Sequence, residues 1–184
     1  ELATVTEVAS FNYTWEDYQE YLKHAPDMIV YQSEAVTNEL AAPYFGMDRE
    51  KMVGLAYWGG IEYWGESQGW PRKGWNYSFF NHSMEPFPQA WLTKSIFTDE
   101  PLVYIGIVDN EGESKMWNDQ VVGQKVISSH WNRIEGNAYN LYTYTNADEV
   151  ELVVNGKSIG VQQNSTEVTK RNTIYWKKRS IFSG

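Results

Sequence analysis

The 184-residue sequence has no cysteine, so neither a disulfide framework nor a thiolate metal site is available to it. Positive charge is scarce: 15 basic side chains stand against 24 acidic ones, a formal net charge of -9. Such a surface repels phosphate backbones and anionic lipid, which argues against nucleic acid and membrane surfaces as partners. Long hydrophobic runs are missing as well, since every apolar stretch is interrupted far short of the roughly 20 residues that cross a bilayer. Glu1-Leu2-Ala3-Thr4 carries neither an initiating methionine nor a basic segment leading into an apolar one. No targeting signal is therefore visible, and the chain reads as beginning inside a longer protein.

Several catalytic signatures are absent too. His24, His82 and His130 are far apart and none lies in an HExxH pattern, which leaves no metal site. There is no Gly-x-Ser-x-Gly, and the glycines between residues 54 and 74 lack the Lys-Ser/Thr ending of a phosphate loop. Serine nucleophiles and nucleotide binding drop out, and no cofactor is expected. What the chain does have is aromatic side chains, at 16% with nine Trp and thirteen Tyr. Large rings with a polar tip suit sugar faces, and they also fill the cores of β-rich domains.

The first hundred residues alternate strand and helix signals. Residues 4–11 are rich in β-branched and apolar types, and Thr14-Trp15-Glu16-Asp17 reads as a capping box. The helix it opens places Trp15, Tyr18 and Leu22 on one face and stops at Pro26-Asp27. A short buried-type strand over 28–32, a weaker helix over 35–44 and a strand over 52–58 complete a βαβ rhythm, the pattern of a parallel sheet covered by helices. Three strands fall short of the closed ring of a (β/α)8 barrel. Residues 59–91, dense in Gly, Trp, Pro and Asn, read as a long loop over a site. From about Thr98–Pro101 onward the pattern is all strand, over 102–108, 125–131, 138–145, 150–154, 157–161 and 173–177. Asn155-Gly156 between two of these is a type I′ hairpin signal, and this half reads as a β-sandwich.

Glu34 is the foremost candidate for chemistry. It ends the strand-like run 28–33, and the C-terminal strand ends of (β/α) barrels carry catalytic groups. A carboxylate there can attack an anomeric carbon if a second carboxylic acid lies about 5 Å away to protonate the leaving oxygen. On spacing alone, a solvated loop carboxylate is the commoner explanation for such a residue. Tyr13 closes the preceding strand, where its hydroxyl could hold Glu34, and Trp58 ends the third strand, where it could floor the same pocket. Each alone is more commonly a core residue. Glu62 and Glu66 are rival acids, though salt-bridged or solvated loop carboxylates are the ordinary reading of both.

Taken together, these segments resemble glycoside hydrolase family 2, the β-galactosidase and β-glucuronidase family. Residues 25–34, ending in Val30-Tyr31-Gln32-Ser33-Glu34, are similar to the family's nucleophile strand, and 53–66, from Val53 through Tyr57-Trp58-Gly59-Gly60 to Glu66, are similar to its last barrel strand. Phe11-Asn12-Tyr13 resembles the strand whose tyrosine stands beside the nucleophile, and Asn81 before Pro86-Phe87-Pro88-Gln89 resembles the sugar-pocket asparagine of galactosidases. His130-Trp131-Asn132 and residues 144–160 are similar to the immunoglobulin-like domain that follows the barrel.

The resemblance implies a fold and a reaction. Residues 1–99 would be the C-terminal part of a TIM barrel, and 100–184 an incomplete immunoglobulin-like β-sandwich. Glu34 would be the nucleophile, Tyr13 would orient it, and Trp58 and Asn81 would bind sugar. Asn81-His82-Ser83 lacks the lysine of the glucuronidase Asn-x-Lys pair, which favours a neutral β-galactoside. The acid/base glutamate would lie upstream of Glu1, so the isolated chain would hydrolyse negligibly. Family habit implies the periplasm or the cell exterior. The alternative from a different class is a noncatalytic carbohydrate-binding or scaffolding module with Glu34 incidental. A purely structural sandwich behind an unfolded N-terminal half would instead be cut readily before Pro101.

Overall fold

The computed structural model describes residues 5–13, 17–36, 41–64, 78–110, 115–117, 120–122 and 126–180. The chain divides into two compact units between Phe87 and Pro88.

The first unit is built on β1 (Val8–Asn12), α1 (Tyr18–His24), β2 (Ile29–Val36), α2 (Ala41–Gly46) and β3 (Met52–Trp58). The strands form a parallel sheet in the order β1-β2-β3, each step made by a helical connection, as parallel pairing requires. Ala9, Tyr18, Met28, Val30 and Met52 form the buried core, with Phe11, Leu22 and Leu55 packed on it. Tyr18, Tyr21 and Leu22 share one stripe of α1, and the Tyr21 ring stacks on Phe11 at 4.4 Å. Thr14, Trp15 and Glu16, the body of the expected capping box, lie outside the described residues; Asp17 caps the helix without a side-chain hydrogen bond. Two expectations shift here. The strand beginning at 28–32 continues to Val36, so Glu34 sits within it, because Ala35 and Val36 remain paired with Tyr57 and Trp58 of β3. The second helix correspondingly starts at Ala41, since Ala35 is fully buried in the sheet.

The second unit opens with α3 (Pro88–Phe97) and continues through β4 (Val103–Asn110), β5 (Lys115–Trp117), β6 (Gln120–Val122), β7 (Val126–Ser128), β8 (Ala138–Thr145), β9 (Glu149–Val154), β10 (Lys157–Gln163) and β11 (Thr173–Ser180). An antiparallel sheet runs β11-β8-β4-β7, with β9–β10 and β5–β6 as separate antiparallel pairs. Ile107, Leu141, Ile174 and Trp176 from the larger sheet share one core with Leu152 of β9, so the hairpin lies over the sheet as a second layer. The Trp176 indole N–H, in that core, donates to Thr143 Oγ1 at 3.0 Å. Asn155 and Gly156 have φ of 50° and 77°, the left-handed pair a type I′ turn needs.

Helix α3 is not foreshadowed by the loop reading of 59–91, although Pro88 at its first position and Lys94 in its last turn are ordinary terminal signals. It belongs with the sheets that follow it. Trp91 stacks on Tyr104 at 5.6 Å, Tyr104 on Tyr144 at 5.9 Å, and the buried Asn172 amide reaches Ser95 O and Oγ, each at 3.1 Å. These contacts set the division ahead of α3 rather than at Thr98–Pro101.

Candidate active site

Tyr13 and Glu34 meet because β1 and β2 are parallel and end together. Asn12 is the register partner of Glu34, reached through a bulge between Phe11 and Asn12. Just past that strand Tyr13 adopts φ 59°, a left-handed backbone that a bulky residue occupies at a cost of about 1–3 kcal/mol. The Tyr13 N–H donates to Glu34 O at 2.8 Å, and its phenolic O–H donates to Glu34 Oε2 at 2.6 Å. Strained backbone and short charge-assisted hydrogen bond thus act on the same partner.

Gln32, two residues earlier on the same strand, adds a further hold. It is 2% exposed, and its Nε2 donates to Glu34 O at 3.2 Å. Its Oε1 is buried without a hydrogen-bond partner among the described residues. On the Ser33 side, Ser33 Oγ lies 2.6 Å from both Ser10 Oγ and Asn12 Oδ1, so hydroxyl and amide groups lash β1 to β2 beside the carboxylate. Gln32 was not singled out in the sequence, though an amide inside an otherwise apolar strand run was a usable signal.

Trp58 closes β3 opposite Val36, one strand over from Glu34 and just beyond it. Its side chain is 39% exposed, and its indole N–H donates to Tyr63 Oη at 3.2 Å. Tyr57 beside it packs edge-on against Phe79 at 5.6 Å, and burial, with the nearby Tyr44 phenol second, pushes its hydroxyl up to about 12. Tyr57 is thus a neutral hydrogen-bonding group under ordinary conditions.

Asn81 is differently placed. Its Oδ1 accepts from the Ser83 and Glu85 N–H groups, each at 2.9 Å, and its Nδ2 donates to Glu85 Oε2 at 2.7 Å. The amide is committed to its own turn, as asparagine often is. Glu62 pairs with His82, and Glu66 lies outside the described residues. His24 is exposed near Glu20, and His130 is exposed. Among the described residues no cluster of three or more His, Asp or Glu could hold a metal ion.

Chemically, the arrangement offers one carboxylate at the C-terminal end of a parallel sheet, fixed at backbone and side chain, with an exposed indole on the next strand. That suits a positioned nucleophile, which needs one oxygen held and the other presented.

Comparison with known proteins gives three findings. Residues 136–179, spanning β8 to β11, match a family described as a domain of unknown function, DUF4982. A 97-residue stretch is 36% identical to β-galactosidase BoGH2A of Bacteroides ovatus, covering 48% of this chain and 10% of that protein. Two solved structures of glycosyl hydrolase family 2 members from Bacteroides cellulosilyticus superpose with TM-scores of 0.74 and 0.75 at 26% and 28% identity. They cover 95% and 92% of this chain but only 22% and 24% of theirs, so the chain spans about a quarter or less of its relatives. A β-glucuronidase of Bacteroides uniformis, 15% identical with a TM-score of 0.64, shares the fold.

Proposed function

From the match to glycoside hydrolase family 2, which bears out the resemblance read in the sequence, we infer that this chain is part of a retaining β-glycosidase. Its substrate in this reading is a terminal β-galactoside. Residues of the first unit supply the last strands of a (β/α)8 barrel, and the second unit is an immunoglobulin-like sandwich.

The observation that carries the reading is the 2.6 Å hydrogen bond from the Tyr13 phenol to Glu34 Oε2 at the ends of β1 and β2. With Oε2 held, Oε1 is the oxygen that attacks the anomeric carbon. The glycosidic C–O bond breaks as the ester forms, and a general acid gives the leaving oxygen its proton. Water, deprotonated by that same group, then cleaves the ester and returns Glu34 as a carboxylate. The Tyr13 hydroxyl stabilises the charge that reappears on Oε2 in this second step. Trp58 offers an apolar face to the sugar ring, and Asn81 shapes the pocket wall through its turn. The missing lysine at Asn81-His82-Ser83 and the name of the Bacteroides ovatus relative both favour galactose over glucuronate.

The test is a 2-deoxy-2-fluoro-β-galactosyl fluoride applied to the protein that contains this chain, followed by peptide mass analysis. Labelling of Glu34 is expected. A label on another carboxylate, or turnover of galactosides with Glu34 unlabelled, overturns the assignment.

A further inference from the structure

Glu62, His82 and Trp64 form a second polar and aromatic cluster in the first unit, made of residues other than the Tyr13–Glu34 pair. Backbone pairing assembles it. Phe79 N–H donates to Gly59 O at 3.0 Å, Phe80 N–H to Gly60 O at 3.1 Å and Glu62 N–H to Phe80 O at 2.7 Å, so the segment leaving β3 runs beside the segment carrying His82. Glu62 Oε2 lies 3.0 Å from His82 Nδ1, with the carboxylate side chain 13% exposed and the imidazole 33%. A carboxylate only accepts, so Nδ1 carries the hydrogen toward Glu62, which leaves Nε2 as the ring's other hydrogen-bonding atom. The Trp64 ring lies 5.0 Å from the imidazole and tilted 37° to it, and Trp64 is 67% exposed.

Stability alone does not call for this arrangement. A largely buried carboxylate costs desolvation, and an exposed indole forgoes the gain of burying it. A flat apolar surface beside an oriented hydrogen-bonding group does match a pyranose ring, which has a C–H face and hydroxyls at its rim.

We propose that Trp64, His82 and Glu62 bind a second neutral hexopyranosyl ring of a di- or oligosaccharide substrate. The ring lies over Trp64 and shares a hydroxyl hydrogen bond with His82 Nε2, while Glu62 fixes the imidazole. This rests on the glycosidase reading and adds to it: Trp58 serves the ring that is cleaved, and the Trp64 cluster serves its neighbour.

The protein containing this chain, carrying Glu34→Gln to stop turnover, is titrated calorimetrically with a β-galactosyl disaccharide and with galactose. Trp64→Ala and His82→Gln should each lower the ratio of disaccharide to galactose affinity about tenfold, the size expected when an aromatic contact or a hydrogen bond to substrate is lost. An unchanged ratio in variants that melt like the parent overturns the proposal. His82→Gln keeps a donor toward Glu62 and decides the matter by the same two outcomes if Trp64→Ala does not fold. Failure of the fluorosugar to label Glu34, with the ratio still falling, would remove the catalytic reading and leave the sugar site standing.

Discussion

Tyr13 engages Glu34 twice, through its backbone N–H to the glutamate carbonyl at 2.8 Å and through its phenol to Oε2 at 2.6 Å. Replacing the phenol removes only the second contact and leaves the strand pairing in place. Tyr13→Phe in the complete protein should lower kcat about ten- to a hundredfold, the range for losing a hydrogen bond to a charged group, with the fluorosugar still labelling Glu34. Steady-state kinetics on an aryl β-galactoside reads this directly, and an unchanged kcat would remove Tyr13 from the reaction.

Gly106 of β4 has no room for a side chain. A methyl group built there would run into Ile127 Cγ2 and lie 3.3 Å from the Tyr104 ring. Gly106→Ala should therefore destabilise the second unit by about 1–3 kcal/mol, the usual cost of overpacking, seen as a lower midpoint in urea.

Asn172 carries three demands at once: φ of 62°, an N–H donated to Asn164 Oδ1 at 2.9 Å, and an amide bonded to Ser95. Asn172→Ala removes the amide that donates to Ser95 O and Oγ in a buried place and strains the backbone, at about 2–4 kcal/mol. Asn172→Gly relieves the backbone part and should recover a fraction of that loss. Thermal melts of the two variants separate the contributions.

Alkaline pH should loosen the fold. Burial raises the hydroxyls of Tyr57, to about 12, and of Tyr104 and Tyr144. The unfolded chain gives up these protons near pH 10, while the folded chain keeps them. The stability they contribute is complete below pH 10 and falls as pH rises toward 12. Tyrosinate absorbance should show a late-titrating set, and Tyr57→Phe should make the loss of stability between those limits shallower.

The sequence was most legible where local chemistry and burial agreed. Strand β8 matches its expected range because Leu141, Thr143 and Thr145 alternate inward, and the Asn155-Gly156 turn matches because few other residue pairs accept two left-handed positions in succession. Glu34 and Tyr13 could be nominated from strand-end position and family likeness. The length of β2 could not, since only the pairing of Ala35 and Val36 with β3 keeps the strand going. Likewise α3 hid in a Trp- and Pro-rich stretch because its helix is held by Tyr104, Asn172 and other residues distant in sequence. The commitment of Asn81 to its own turn was also invisible, since an asparagine reads alike whether it binds a ligand or its own backbone. Many of the aromatics proved to be packing: Trp176 is interior, and Trp91, Tyr104 and Tyr144 form one stack.

Gln32 Oε1 is buried and has no hydrogen-bond partner among the described residues. A buried acceptor without a donor forfeits about 1–3 kcal/mol, which an N–H or O–H brought to that single atom would recover. The amide therefore discriminates among neighbours: it admits a trapped water or a donor-bearing side chain and disfavours an oily one. Through its other end the same amide holds the Glu34 carbonyl.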